Sequence, residues 1–273
     1  KYLRQAIDSV YEQTYQNWEI IFWDNASEDG SAEVAKLYDN RLRYFFASVN
    51  VPLGEARNLA LQKATGKYIA FLDCDDKYLP EKIKKQVEKM ETSNSALCYG
   101  SVIVINEDGK KIKLNKVTDK YGFILDQLLL KYEINMQTVM IRRSILFNNS
   151  LSFDVKLQFS PDYDLFMRIA SEYEICALSD YIVEYRKANN SLTYKLLDRI
   201  APEMEYTLMG LYEKFESCGE KKEPLPLNLR TKPIATETIQ TPKGADPSVS
   251  AEMGGAGFEK LAKNLGWQTY EAE

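Results

Sequence analysis

The sequence contains no histidine, which leaves the roles of general base and metal ligand to other residue types. No apolar run approaches the roughly 20 residues of a membrane-spanning helix. No strand-like segment leads into the G-x-G-x-x-G turn of dinucleotide-binding dehydrogenases, so that class is disfavoured. The four cysteines lack the spacing of a metal site, and they are typical of reduced thiols in a cytosolic protein.

The composition favours one α/β enzyme over a nucleic-acid-binding protein. With 35 basic and 40 acidic residues, the net charge is −5, which argues against a nucleic-acid partner. The hydrophobic content of 45% supports a sizeable core. No secretory signal is visible, so we expect a cytoplasmic location.

Alternating strand and helix patterns predict a Rossmann-like, mostly parallel central sheet flanked by helices. Strands are expected near 18–23, 42–47, 67–72, 96–105, 137–141 and 182–185. Helices are expected near 1–15, 31–39, 55–65, 80–92, 122–132 and 195–216, with a hairpin turn at Glu107–Lys110. The last helix has an amphipathic pattern that predicts packing on the domain; several glutamates on its polar face disfavour contact with an anionic membrane.

The chain divides into three segments by composition. Residues 1–219 carry the α/β pattern, residues 220–250 form a Pro/Thr-rich linker, and residues 251–273 form a Gly-rich tail or the start of another module. The predicted architecture is therefore one domain with a C-terminal helix and a linker-like tail.

Three carboxylates follow the apolar segment 68–72, at Asp73, Asp75 and Asp76. The C-terminal end of a buried strand is where ligands bind in open α/β sheets. Acids packed so closely repel one another unless a cation lies among them, and carboxylate oxygens suit Mg²⁺ or Mn²⁺. The alternative is a polar turn ahead of the helix that starts near Pro80.

Other charged residues occupy similar positions. Asp24 ends a second apolar strand, and Arg57 lies early in a helix that follows a glycine turn, where a guanidinium suits a phosphate or carboxylate. Asp162 and Asp164 precede Arg168, which lies one helical turn after Asp164 and can simply pair with it. The structural alternatives are a turn acid at Asp24 and a surface cation at Arg57.

Together these motifs resemble the inverting, nucleotide-sugar-dependent glycosyltransferases of family 2, which have the GT-A fold. The resemblance covers roughly residues 1 to 195 and rests on four motifs in order. The block Gln13–Ser31 is similar to "QTYxNWEIIxxDDGSxDGS", Gly54–Asn58 to "GxxxARN", Asp73–Asp76 to the "DxD" motif, and Asp162–Leu165 to "EDxDLxxR".

The resemblance implies a role for each matching residue. Asp24 would bind the nucleotide base, usually uracil, Arg57 would lie close to the nucleotide, and Asp73 would touch the ribose. Asp75 would bind the Mn²⁺ or Mg²⁺ that bridges the diphosphate. Asp162 would be the general base that deprotonates the acceptor hydroxyl. Asp76, Asp164 and Arg168 would support the site, with a structural role favoured for the last two and a third-shell or N-cap role for Asp76.

The sequence departs from the family pattern in three places. Pro161 stands where the catalytic segment usually has glutamate. Ala188 stands where many relatives carry a histidine that reaches the diphosphate or metal, which leaves that contact to Arg186, Lys187 or a nearby asparagine. Family members also open with an apolar strand of the "VSVIIPVYN" kind, and we expect this sequence to lack that first strand.

The implied function is transfer of a sugar from a nucleotide-sugar donor, with UDP expected, to a carbohydrate or lipid-linked acceptor in surface polysaccharide or glycan assembly. Residues around Gln137 are expected to face the acceptor. Membrane association would be peripheral, at the inner face and without a transmembrane segment. A non-catalytic nucleotide-sugar-binding scaffold and a nucleotidyltransferase are the alternatives.

Overall fold

The computed structural model describes residues 1–187 and 199–217 of the chain. The predicted linker and tail, and Ala188, lie outside the described residues. The helices are α1 (Leu3–Tyr11), α2 (Ser31–Ala35), α3 (Leu53–Leu61), α4 (Lys82–Ser93), α5 (Leu125–Leu130), α6 (Arg143–Asn148), α7 (Pro161–Glu172) and α8 (Ile200–Ser217). The strands are β1 (Ile20–Asp24), β2 (Leu42–Phe46), β3 (Tyr68–Ala70), β4 (Lys77–Tyr78), β5 (Leu97–Ile105), β6 (Lys111–Asn115), β7 (Lys120–Gly122), β8 (Met140–Arg142) and β9 (Ile175–Arg186).

The strands form two sheets. β1 and β2 pair in parallel as a two-stranded sheet, joined through α2. The larger sheet has seven strands in the order β3-β8-β5-β9-β4, with β6 added to β5 and β7 added to β9. Among the described residues, no strand pairing joins the two sheets.

The larger sheet is mixed, which corrects the expectation of a mostly parallel sheet. Only its β5–β9 pairing is parallel among the described strands, and its other pairings are antiparallel. The regular alternation of strand and helix ends at β5. After that strand a hairpin turn at Asn106–Gly109 reverses the chain, as its spacing predicts, and the chain makes no crossover there.

The hydrophobic core lies on the larger sheet. All nine residues of β5 are buried, which agrees with a largely apolar sequence that Gly100 and Ser101 interrupt. The buried face of α7, including Leu165, Phe166 and Ile169, packs in the same cluster as Tyr99 of β5. α8 joins this cluster through Leu211, as its amphipathic pattern predicts. No helix among the described residues combines the length and apolar character needed to cross a membrane.

Most predicted elements are present with shifted ends. The segment predicted as a strand near 137–141 is instead a 3₁₀ turn at Met136–Thr138 followed by β8. β9 is much longer than the predicted strand at 182–185, because the residues ahead of Tyr181 pair with β5 and β7. In the first motif, Gln13 is buried and structural: its amide donates to the carbonyls of Ser9 and Leu79 at 3.0 and 2.8 Å.

Candidate active site

Asp24 closes β1 as a buried carboxylate with two protein donors. Its Oδ1 accepts the backbone N–H of Ser27 at 2.8 Å, and its Oδ2 accepts the Tyr44 hydroxyl at 2.7 Å. Burial acts to raise the pKa of Asp24, but the hydrogen bonds from Tyr44 and Ser27 outweigh it and hold the pKa below its usual value. The strand end therefore presents a fixed negative charge, and Tyr44 on β2, which no motif marks, helps to hold it.

The loop between β3 and β4 carries the three acids that the sequence singles out. Asp76 donates its N–H to the carbonyl of Asp73 at 3.2 Å, which turns the chain and leaves Asp75 half-buried at the bend. Burial, and then the negative charge of Asp73, raises the pKa of Asp75. A cation beside Asp75 would relieve this unfavourable charge.

Asp76 has a structural role, and it is not the N-cap of a helix. This finding corrects the N-cap role, which was one of the two roles expected for Asp76. It is 1% exposed and leads into β4, while α4 begins later, at Lys82. Its Oδ1 accepts the backbone N–H of Arg186 at 2.6 Å. Burial raises the pKa of Asp76 to about 8, with the charges of Asp73 and Asp75 adding to that effect. Its hydrogen bond thus ties the acidic loop to the end of β9.

The loops after β1 and β3 meet at Cys74. The residue is exposed, yet its thiol lies in acidic surroundings: local desolvation, and then the charges of Asp73, Asp75, Asp24 and Asp29, raise its pKa to about 11. The acids that the sequence assigns to base, ribose and metal therefore lie within electrostatic reach of one side chain. The ends of β1 and β3 bring them together, although the two strands belong to different sheets.

Arg186 is 3% exposed and directs its guanidinium at the protein itself. Its Nε donates to the carbonyl of Asp75 at 2.9 Å, and its Nη1 donates to the carbonyls of Asn106 and Glu107 at 3.1 and 3.2 Å. Its Nη2 donates to Gln5 at 3.1 Å. These bonds support a role in positioning the acidic loop, and the expected direct contact with the donor stays a prediction.

Arg57 projects from α3 toward the same loop. Its Nη2 lies 3.4 Å from Oδ1 of Asp73, and both side chains keep access to solvent. The other oxygen of Asp73 accepts the amide of Gln137 at 2.6 Å. Gln137, which we expected to face the acceptor, is buried and contacts the residue assigned to the ribose. The 3₁₀ turn that places it is not visible in the sequence pattern.

The second motif also explains how α3 packs. A Cβ on Gly54 would lie 3.5 Å from Cβ of Pro161, an ordinary van der Waals distance, so this part of α3 lies against the start of α7. Asn58 clamps the segment ahead of α7, because its amide donates to the carbonyl of Phe153 at 2.9 Å and accepts the N–H of Phe153 at 3.0 Å. The packing at Gly54 and the bonds of Asn58 therefore hold the arginine helix against the segment that leads into α7.

Asp162 occupies that first turn, half-buried and directly after Pro161. Proline suits the first helical position because its missing N–H would have no partner there, so this departure from the family pattern is compatible with the helix. Burial raises the pKa of Asp162, while the Arg57 charge and the N–H groups of Asp162 and Tyr163 act against that rise. Asp73 also acts on this carboxylate and adds to the rise.

Asp164 and Arg168 form an ion pair on the other side of α7. The Arg168 Nη2 lies 2.6 Å from Oδ2 of Asp164, and Oδ1 accepts the Thr207 hydroxyl of α8 at 3.3 Å. Asp164 is 4% exposed, so it faces the helix packing. This geometry agrees with the structural role that the sequence favours for both residues.

A divalent cation fits this site only in one manner. The described residues contain no group of three or more His, Cys, Asp or Glu side chains arranged to hold a metal. Mg²⁺ commonly takes one or two protein carboxylates and completes its shell with substrate phosphates and water. The carboxylate of Asp75, with Asp73 beside it, suits this mode, in which substrate phosphates and water supply the other ligands.

Comparison with known proteins identifies the family. The model of the family "Glycosyl transferase family 2" matches residues 1–147. The chain is 33% identical over 219 residues to "Uncharacterized glycosyltransferase MJ1057" of Methanocaldococcus jannaschii, covering 77% of this chain and 73% of the relative. It is 31% identical over 194 residues to the Escherichia coli "UDP-Glc:alpha-D-GlcNAc-diphosphoundecaprenol beta-1,3-glucosyltransferase WfgD", covering 69% and 73%.

A solved structure confirms the fold. TarS 1-349 of S. aureus, in complex with UDP-GlcNAc, superposes with a TM-score of 0.62 at 19% identity and covers 76% of this chain. The chain spans 61% of that structure. The likeness confirms the GT-A fold, an α/β architecture with a central sheet flanked by helices. On the family match and these relatives, the chain belongs to glycosyl transferase family 2.

Proposed function

We propose that this glycosyltransferase moves a hexose from a UDP-linked donor to a hydroxyl of a carbohydrate or lipid-linked acceptor, with inversion and with a divalent metal. The relatives support the substrate classes. WfgD is named for a UDP-Glc donor and a diphosphoundecaprenol-linked acceptor, and a Bacillus subtilis relative is named "Putative teichuronic acid biosynthesis glycosyltransferase TuaG". We infer a role in surface polysaccharide or glycan assembly.

One observation carries the proposal: the helix that carries Arg57 packs against the segment leading to Asp162, and the charges of Arg57 and Asp73 both act on the pKa of Asp162. Arg57 and Asp73 are the residues assigned to the nucleotide and ribose, and they lie 3.4 Å apart. The carboxylate assigned to the acceptor thus lies beside the groups assigned to the donor. A transferase that joins two substrates directly requires this proximity.

The donor side is assigned from the strand ends. Asp24, charged and fixed by Ser27 and Tyr44, accepts hydrogen bonds from the base. Asp73 binds the ribose beside Arg57. Asp75 would hold the metal, and Arg186 fixes the backbone of Asp75 through its carbonyl. When bound, Mn²⁺ or Mg²⁺ supplies positive charge that stabilises the leaving diphosphate.

Asp162 serves as the general base. As the acceptor oxygen forms its bond to the anomeric carbon, the bond from that carbon to the diphosphate oxygen breaks on the opposite face. The acceptor proton passes to the Asp162 carboxylate, and the configuration inverts in a single displacement. The raised pKa of Asp162 suits this role, because a base with a pKa nearer the working pH accepts a proton more readily.

The proposed location follows from the proposed substrates. A lipid-linked acceptor requires the enzyme to reach a membrane surface. We therefore infer a cytoplasmic enzyme that associates peripherally with the inner face of the membrane. The three described cysteines, Cys74, Cys98 and Cys176, are free thiols, which agrees with a reducing compartment.

The first test is calorimetric titration of UDP and of GDP, each with and without Mn²⁺. We expect Mn²⁺-dependent binding of UDP. Asp75→Asn should raise the Kd for UDP at least about tenfold, which corresponds to a loss of only about 1.4 kcal/mol of binding free energy. Asp108→Asn is the matched control, because Asp108 is an exposed acid in the hairpin turn. It should bind UDP like the unmodified chain.

Each result decides between named functions. UDP binding, together with formation of UDP from a UDP-sugar that depends on an added acceptor, would support the proposal. UDP binding without turnover across an acceptor panel would favour the non-catalytic scaffold. Absence of nucleotide binding by the folded chain would refute the donor assignment.

A further inference from the structure

Glu203 of α8 is a buried carboxylate that faces the segment ahead of α7. It is 8% exposed, and among the described residues its hydrogen-bond donors come from three consecutive residues. One oxygen accepts the N–H of Gln158 at 2.9 Å, and the other accepts the N–H groups of Phe159 and Ser160 at 2.9 and 2.8 Å. The Ser160 hydroxyl also donates to Glu203, at 3.1 Å. A single side chain therefore holds one complete turn of backbone.

The three donors differ in exposure, because Ser160 is buried, Phe159 is half-buried and Gln158 is exposed. A buried N–H without an acceptor costs about 1–3 kcal/mol, so loss of the Glu203 carboxylate would disfavour this backbone geometry chiefly at Ser160. A carboxylate is acceptor-only and offers about four lone-pair sites, which matches the number of donors here. Glu203 thus fits this turn in a way that a neutral or apolar side chain cannot.

The Ser160 hydroxyl has a second consequence for Asp162. Ser160 is the N-cap residue of α7, where a serine usually accepts an N–H from the first turn. Here it makes no such cap, and its hydroxyl donates to Glu203. The N–H groups of Asp162 and Tyr163 in the first turn act on the Asp162 carboxylate. The contact with Glu203 therefore fixes the N-cap residue of the helical turn that carries Asp162.

We propose that Glu203 is a positioning residue for the transfer reaction: it fixes the turn at 158–160 so that Asp162 faces the acceptor hydroxyl. This inference rests on the proposed function, since it takes Asp162 as the base. Glu203 itself would touch neither substrate. Among the described residues, its hydrogen-bond partners are Gln158, Phe159 and Ser160, and none of the donor-side residues is one of them.

The test separates positioning from general folding. For Glu203→Gln we expect kcat to fall by about a hundredfold, the cost of displacing a catalytic group by roughly 1 Å. The Kd for UDP with Mn²⁺ should stay within about twofold, because the donor contacts come from other elements. Glu203→Asp provides a second variant that keeps the charge and shortens the reach, and it should show the same split between kcat and Kd.

Thr207→Val is the matched control on the same helix. Thr207 is buried and donates to Asp164 at 3.3 Å, so its loss weakens the docking of α8 without touching the turn at 158–160. Its kcat should stay within about threefold of the unmodified chain, well below the hundredfold expected for displacement of the base.

The inference and the proposed function fail differently. A kcat unchanged in both Glu203 variants would overturn the positioning role alone, as would equal loss of kcat and UDP affinity in a variant that remains folded. Absence of sugar transfer by the unmodified chain would refute the proposed function, and the inference would fall with it. Loss of kcat with intact UDP binding in either Glu203 variant would support the positioning role.

Discussion

Two buried charges of opposite sign hold the two sides of the candidate site. On the donor side, the Arg186 guanidinium donates to carbonyl oxygens, including that of Asp75. On the acceptor side, the Glu203 carboxylate accepts backbone N–H groups just ahead of Asp162. A loop that turns after a strand exposes carbonyls, whereas the approach to a helix exposes amides. The sign of each buried charge therefore matches the backbone groups that it holds.

The comparison separates residues that act from residues that position. In each pair, the buried charge makes most of its hydrogen bonds to the backbone, and a neighbouring carboxylate is only half-buried. Asp75 and Asp162 are the half-buried members, and burial raises the pKa of both. Charges that make several backbone bonds cost a great deal to remove, so substitution should distinguish the two classes by stability as well as by activity.

The largest expected effect comes from Asp162→Asn. Asparagine keeps the size of the side chain and removes its capacity to take a proton. We expect kcat to fall by about a thousandfold, within the range for loss of a general base. UDP affinity in the presence of Mn²⁺ should stay within about twofold. Steady-state transfer assays and calorimetry on one preparation measure both quantities.

Asp164→Asn is the control for this prediction, because it changes an acid on the same helix that pairs with Arg168. It should lower the unfolding free energy and leave kcat per folded enzyme within about threefold, far from the loss expected of a general base. Transfer retained by the Asp162 variant, or lost equally in both, would show that the base has been assigned to the wrong residue.

The next effect tests the donor side through Arg186→Lys. One ammonium group cannot reach the carbonyls of Asp75, Asn106 and Glu107 together with the Gln5 side chain, as the guanidinium does. We expect the free energy of unfolding to fall by about 2–4 kcal/mol. UDP affinity should fall as well, because the Asp75 backbone is released. Chemical denaturation followed by calorimetry measures the two changes.

Arg4→Lys is a suitable control, since Arg4 is an exposed residue of α1. Substitutions at such surface positions usually change stability by no more than about 0.5 kcal/mol, so a small change is expected. An Arg186 variant with normal stability and reduced UDP affinity would point to direct donor contact, which is the role that the family resemblance implies. That result would mean that Arg186 acts on the donor directly and has no positioning role comparable to that of Glu203.

The sequence allows prediction where function depends on local pattern. The strand ends at Asp24 and Asp73 and the helix that carries Arg57 follow from short apolar runs and turn residues. The pair of Asp164 and Arg168 follows from helical spacing. These features depend on neighbours within a few positions, so one sequence is enough to place them.

The rest depends on contacts between distant residues. Glu203 belongs to a helix whose glutamates the pattern assigns to a polar face, yet it is buried against residues 43–45 positions earlier. Gln137 reaches Asp73 across 64 positions through a 3₁₀ turn without a sequence signal. The sheet is mixed because β6 and β8 pair with β5 in antiparallel and β9 pairs with it in parallel, and strand order is likewise a long-range property.

Lys82 provides the contrast to both clamps, because it is a fully buried charge with little solvation by the protein. Its Nζ donates to the Gln86 side chain at 2.6 Å and lies 4.2 Å from the centre of the Tyr78 ring. Among the described residues, no carboxylate forms an ion pair with it. Burial lowers the pKa of Lys82 to about 7. Arg186 and Glu203 have several partners each, so the number of backbone partners separates them from Lys82.

The smallest expected effect is therefore a gain in stability from Lys82→Met. Between pH 7 and pH 10.5 the unfolded chain keeps the Lys82 proton that the folded chain has released, so the stability of the unmodified chain rises with pH over this range. Methionine should remove that rise and increase the unfolding free energy at pH 6 by about 1 kcal/mol. The gain is limited because the Gln86 side chain loses its hydrogen-bond donor.

Denaturation at several pH values, with the exposed Lys84→Met as control, measures both the pH dependence and the gain at pH 6. A loss of stability at pH 6 would mean that Gln86 and Tyr78 together solvate the charge as well as backbone carbonyls do, and the distinction between Lys82 and the two clamps would fail.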